Sequence, residues 1–329
     1  MNKQNLLVFV LLVSLFGLLY QCAPTSGSDD NGSGDENETR PAGNIFLFTD
    51  QQQIYQYSVE SDRFTLLNDS AWQPLDFSAA YFGEYIVASI PDSTIGLYSV
   101  VTRQWRYFTN SGLLKGPITI NAYGNIIAYT VLFEQNGRIN LLYPESETVY
   151  EMDKGPALWA DFPLFDKGGN GLAYTQSDGF YVRKIPNGAP VKLTDSSSIA
   201  VDFSPRGQFV SAGEQIFDLT VLKYYPSTAT GTIQFINESY IVFNSTTGKD
   251  LKKAKISGVF EEDVYSGQDT LLFCIAPGKD QLAFIDRAEP QIIRFYRFNP
   301  VSEITVTTLP ENAGMVKKMY WRDRPSSSP

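Results

Sequence analysis

The dipeptide Asp-Phe occurs at Asp76-Phe77, Asp161-Phe162 and Asp202-Phe203. An acid next to a large ring suits a strand that buries the ring and turns the acid to the other face. Three such acids gathered around one axis could hold a hard cation or a basic peptide end. Kept apart, each would cap a turn or accept neighbouring backbone amides. Thr119, Gln234, Cys274 and Tyr320 take the matching place in other stretches of the chain. Asp76, Asp161, Asp202 and the aromatic Tyr320 are therefore the candidate partner-binding set.

Much other chemistry is excluded. The chain has no His, which removes Ser-His-Asp and Cys-His catalysis and the usual zinc and copper sites. Glu261, Glu262, Asp263 and Asp280 could in principle supply the two acids of glycoside cleavage. Adjacent strand residues point to opposite faces, however, and a solvated loop accounts for this run better. With 36 acids against 26 bases, the chain lacks the positive charge that nucleic-acid binding rests on. Gly168-Gly169-Asn170-Gly171 reads as a turn, without the strand–helix setting of a phosphate loop. Lys252, Lys253 and Lys255, like Lys317 and Lys318, read as basic clusters that keep sheet edges soluble. Cys274 lies in the apolar run 271–275 and reads as a buried, inert thiol. No metal, cofactor or catalytic residue is expected.

The elements that would position these side chains repeat along the chain. Short β-rich runs begin at Phe46, Ile86, Ile127, Leu172, Phe209, Ile241 and Leu282, spaced 40, 41, 45, 37, 32 and 41 residues apart. Most are followed by two further β-rich runs, as at Ile95–Tyr98 and Trp105–Phe108. A period near 40 with several strands per unit marks the blades of a propeller. The fold class read here is all-β: a seven-bladed β-propeller of four-stranded antiparallel blades. The first unit lacks an innermost strand, and residues 315–322 supply a spare one. A ring must join its ends to hide its sheet edges, so this C-terminal strand is expected to close the first blade. Blade six is the weakest, since residues 252–256 are poorly patterned, and blade five is short. The aromatics, including Trp72, Trp105, Trp159 and Trp321, are expected mostly between blades.

The stretch Val201-Asp202-Phe203-Ser204-Pro205-Arg206-Gly207-Gln208 resembles the blade motif of TolB-like propellers, in which Trp-Ser-Pro-Asp-Gly joins the innermost strand to the second. Leu193-Thr194 is similar to the family's strand ending, and weaker copies stand at Asp76-Phe77-Ser78, Asp161-Phe162-Pro163 and Ala276-Pro277-Gly278. Phe203 and Arg206 depart from the pattern. WD-repeat propellers share the period.

The N-terminus has a different character. Lys3 precedes an apolar run, Leu6 to Leu19, which is too short to span a bilayer and fits a secretory signal. Cys22 follows at once. The arrangement resembles a bacterial lipoprotein signal of the relaxed spirochaete kind, with Gln21 where the family usually has a small residue. That resemblance implies cleavage before Cys22 and lipid on it, with two or more acyl chains holding the protein at a membrane. Residues 23–42 are polar and acidic, without apolar periodicity, and read as a tether with ends on the order of 25 Å apart.

The expected organisation is a signal over 1–21, lipidated Cys22 and a disordered tether over 22–42, the propeller over 43–325 and a tail over 326–329. The expected role is that of a monomeric, non-catalytic envelope lipoprotein, lipid-anchored in the outer membrane. Its propeller would serve as a protein- or peptide-binding scaffold at the channel face. A propeller hydrolase or lyase acting on envelope glycan, and a surface adhesin, are the alternatives.

Overall fold

The computed structural model describes residues 41–68, 72–110, 112–133, 136–152, 160–225, 231–258, 261–277, 280–299 and 301–323. The expectations for the signal, for Cys22 and for most of the tether, as well as for Trp159, lie outside them. The described residues form seven four-stranded antiparallel sheets and no α-helix; six sheets run in chain order from an innermost to an outermost strand, and the remaining one takes its innermost strand from the C-terminus. The architecture is a seven-bladed β-propeller. Blades two to seven begin with innermost strands Asp76–Ala79, Leu114–Ile120, Ala160–Phe165, Ala200–Phe203, Ile233–Phe235 and Leu271–Ile275.

Blade one is built from both ends of the chain. The C-terminal strand Val316–Arg322 lies inside Asn44–Thr49, with Ile45 opposite Trp321 and Phe46 opposite Tyr320. The seam is locked by Trp321, which is fully buried, meets Phe295 of blade seven edge-on at 5.5 Å and donates its Nε1–H to the Ala42 carbonyl at 2.9 Å. Similar ring contacts join other neighbours: Phe48 to Phe77 at 5.6 Å, Phe180 to Phe217 at 5.8 Å and Tyr265 to Phe284 at 4.5 Å. Such pairs add about 1 kcal/mol each beyond the apolar area they bury.

Two polar devices repeat around the ring. The first is a buried small polar residue late in the second strand. Ser89, Ser211 and Asn244 donate to the carbonyls of Gly116 (2.7 Å), Ile233 (2.8 Å) and Leu271 (2.9 Å) in the next blade, and Thr175 donates to Ser198. The second is the turn between innermost and second strands. In blades two to five a residue accepts from a glycine three positions on: Ala80 from Gly83, Asn121 from Gly124, Asp166 from Gly169 and Ser204 from Gly207, at 2.9 to 3.1 Å. All four glycines have φ between 69° and 79°, where a Cβ is costly.

These turns correct the placing of the weaker motif copies. Asp76-Phe77-Ser78 and Asp161-Phe162-Pro163 lie within innermost strands, and the turns equivalent to Ser204-Pro205-Arg206-Gly207 start at Ala80 and Asp166. The poorly patterned lysine run of blade six is its third strand, Asp250–Lys255. Leu251 and Ala254 face inward, and a bulge after Leu251 breaks the alternation. The acids placed in a solvated loop form instead the outer strand Glu261–Ser266, where Glu262 and Asp263 sit opposite Lys253 and Lys252.

Candidate functional site

The innermost strands run side by side around a central channel, which opens into a cavity at each end. The turn-side cavity, about 100 Å³, is walled by the late residues of these strands and by their turns. The opposite cavity, about 410 Å³, is walled by their early residues and is mainly apolar. Polar side chains on this wall bind laterally to the next blade. Asp76 Oδ2 accepts from Ile118 N–H at 3.4 Å, Asp202 Oδ2 from Phe235 N–H at 2.8 Å, and Gln234 Nε2 donates to the Phe273 carbonyl at 2.9 Å.

The three candidate aspartates are not brought together. Asp202 stands two residues before its turn at Ser204, on the turn-side cavity. The residue in that place in blade two is Ser78. Asp76 lies two residues earlier, so strand alternation keeps it on the channel wall but moves it to the opposite cavity. Asp161 lines neither cavity. A bulge between Asp161 and Leu164 puts Phe162, Pro163 and Leu164 on the wall, while Asp161 is fully buried and accepts from Phe162 N–H at 2.9 Å. Tyr320 reaches both cavities. Cys274 belongs to the apolar cluster with Trp321 and Ile285, where burial pushes its thiol up to about 12.

Asp76 and Asp202 each already hold a cation, and it is the chain's own. Lys318 Nζ lies 2.7 Å from Asp76 Oδ1 and 3.2 Å from the Phe77 carbonyl. Burial works against the Lys318 charge, but Tyr320 and Asp76 outweigh it and raise the group above its ordinary value. Lys318 is thus a channel residue and not an edge solubiliser. Lys167 Nζ lies 3.1 Å from Asp202, with side-chain exposures of 15% and 20%. Burial pulls Lys167 below its ordinary value, with Asp202 pulling the other way.

The turn-side cavity also contains Arg322. Its guanidinium donates to the carbonyls of Ala79 (3.3 and 3.2 Å) and Trp321 (3.0 Å), and it makes no ion pair with a described carboxylate. Burial lowers it too. Tyr81 is near both cations, its ring 5.8 Å from Lys167 Nζ and 5.9 Å from the Arg322 guanidinium carbon. From Tyr81 an aromatic row runs outward across two turns, to Phe82 at 5.4 Å and then to the exposed Tyr123 at 5.7 Å. The other acid on this cavity, Asp166, serves its own turn, accepting from Asn170 N–H at 2.9 Å with its second oxygen against Gly171 and Gly207. Among the described residues, no group of three His, Cys, Asp or Glu could hold a metal ion.

Sequence reasoning missed Lys167, Tyr81, Lys318 and Arg322. Two of these were within reach: Lys318, Tyr320 and Arg322 alternate on the closing strand, so placing Tyr320 on the channel places the other two there as well. Lys167 and Tyr81 lie in turns whose start the strand pattern did not reveal.

No protein-family model matches the chain, and no curated protein does. Among solved structures it is similar to TolB from Acinetobacter baumannii, with 14% identity and a TM-score of 0.55 over 86% of this chain and 67% of that one. It is also similar to a chain of a mitotic checkpoint complex (11%, TM-score 0.58, 84% of this chain and 98% of that one). A chain of a nidogen–laminin complex gives 9% and 0.51 over 85% and 98%. At these identities the likeness is one of fold.

Proposed function

We propose that the protein is a membrane-tethered, non-catalytic envelope scaffold whose propeller binds a protein or peptide partner at the turn-side mouth of its channel. The observation that carries this reading is the mouth itself. Lys167, paired with Asp202, and Arg322, without an ion pair to a described carboxylate, stand there beside Tyr81, and an aromatic row leads away from them to the exposed Phe82 and Tyr123. Aromatic and Arg side chains are the anchors most enriched at binding hot spots. The tether rests on the N-terminal pattern, with lipid on Cys22. Glycan hydrolysis has less to stand on: Asp202 is bound to Lys167 and Asp166 to its own turn, so no free pair of acids faces the turn-side cavity.

The test places a photo-crosslinking residue at Tyr123 on the mouth or at Tyr224 on the outer strand of blade five, in intact cells. A discrete adduct from Tyr123 that is absent from Tyr224 supports the reading, and identical adduct patterns overturn it. The tether is tested separately by palmitate labelling, which should disappear in Cys22→Ser. Labelling that persists in that variant places the anchor elsewhere.

A further inference from the structure

We propose that the turn-side mouth is a carboxylate receptor: Lys167 and Arg322 together take a carboxylate carried by an extended peptide, and the Tyr81–Phe82–Tyr123 row takes the apolar side chain beside it. This rests on the channel-mouth reading above and names the chemistry of its ligand.

Arg322 is the first argument. A guanidinium has five N–H donors in a planar fork. Three of the Arg322 donors are used, all on backbone carbonyls, and no described carboxylate pairs with it. Asp202 acts on this guanidinium through space without pairing with it, and a closely held anion would offset more of the cost of withdrawing the charge from water. Lys167 is the second argument. Its one ion-pair partner among the described residues, Asp202, lies with both oxygens 3.1 Å from Lys167 Nζ and shares one of them with the Phe235 N–H. Glu238 acts on Lys167 only at longer range, and one of its oxygens accepts from Arg206 N–H. Lys167 and Arg322 therefore face the cavity with Asp202 beside Lys167 and with Asp166 engaged by its own turn, in a chain whose net charge is −10.

Size selects the ligand. A cavity of about 100 Å³ equals roughly three waters at about 30 Å³ each. That admits a carboxylate and the atoms carrying it, with the rest of the ligand outside the mouth. The aromatic row begins at the cations and continues outward, so a peptide that inserts its acid lays its neighbouring side chain on Phe82 and Tyr123. An α-carboxylate at a chain end and an Asp side chain share this chemistry.

The test measures binding to the full chain by calorimetry with three probes: acetyl-Gly-Ala-Phe-Ala as the free acid, the same peptide amidated, and acetyl-Gly-Asp-Phe-Ala amidated. At least one acid probe is expected to bind about tenfold tighter than the neutral amide, the worth of one charge-assisted hydrogen bond. The probe that does so identifies an α-carboxylate or a side chain as the source. Lys167→Met should abolish the preference. Asp202→Asn, which frees Lys167 while keeping an acceptor for Phe235 N–H, should strengthen it severalfold. General damage to the mouth would weaken binding in both variants, so opposite signs mark the carboxylate role. Equal binding of acid and amide, with loss in Phe82→Ala, overturns the inference but leaves the peptide-scaffold reading standing. No binding of any probe, or weakening by both variants, overturns the inference, and the crosslinking test then decides the scaffold reading alone.

Discussion

At the scale of single residues, burial has set the chemistry. Cys274, Tyr57 and Tyr129 are each pushed up to about 12 by removal from water. An unfolded chain releases those protons from about pH 9 to 10, while the folded one holds them until near pH 12. The unfolded state then binds fewer protons, so this stability is complete below about pH 9 and is lost as pH rises toward 12. The urea midpoint should fall steeply between pH 9 and pH 11, and a flat midpoint over that range would contradict the assignment. Cys274 should resist iodoacetamide in the native protein and react on unfolding. Among the described residues, Trp321 carries the largest fully buried side chain, at the seam that joins the chain ends. Trp321→Ala should cost about 4 kcal/mol, as large core truncations do, and Trp321→Phe clearly less. Chemical denaturation measures both.

At the scale of elements, the turns between first and second strands position the mouth, and a glycine in one of them differs in a testable way from Gly213, which lies in the hairpin between the second and third strands of blade five. Gly83 has φ +74°, and a Cβ there would lie 2.4 Å from the Asp323 carbonyl oxygen. Gly213 has φ +57° with nothing within 4 Å. Gly213→Ala should cost about 1 kcal/mol, the backbone term alone. Gly83→Ala should cost about 2–3 kcal/mol, because backbone must also move. Equal melting temperatures for the two variants would show that the close approach carries no energy. The same elements explain what could be read from sequence. Strand periodicity and the 40-residue spacing exposed the blades, since both follow from alternation along the chain. The candidate site depended on register, which alternation alone does not set. A bulge of one residue removed Asp161 from the wall, and an offset of two residues sent Asp76 to the other cavity. Lys167 reaches the mouth only because a turn starts at Asp166, which no periodic signal announced.

At the scale of the whole molecule, seven similar sheets make a ring whose one non-sequential joint among the described strands is Val316–Arg322 against Asn44–Thr49. Removing residues from Val316 onward should leave the first blade without its innermost strand and expose a sheet edge. The truncated chain should elute as aggregate on gel filtration and lose its single cooperative melt. A compact monomer with an unchanged melt would mean that the joint is dispensable. That joint is also where Lys318, Tyr320 and Arg322 reside, and Asn44 opposite Arg322 is its rung nearest the chain terminus. Tension on the C-terminal tail would peel the strand from that end, so Arg322 is the first of the three to be displaced. The turn-side cavity would thus lose its Arg322 cation under load before the rest of the joint yields, a mechanical fuse written into the order of the rungs.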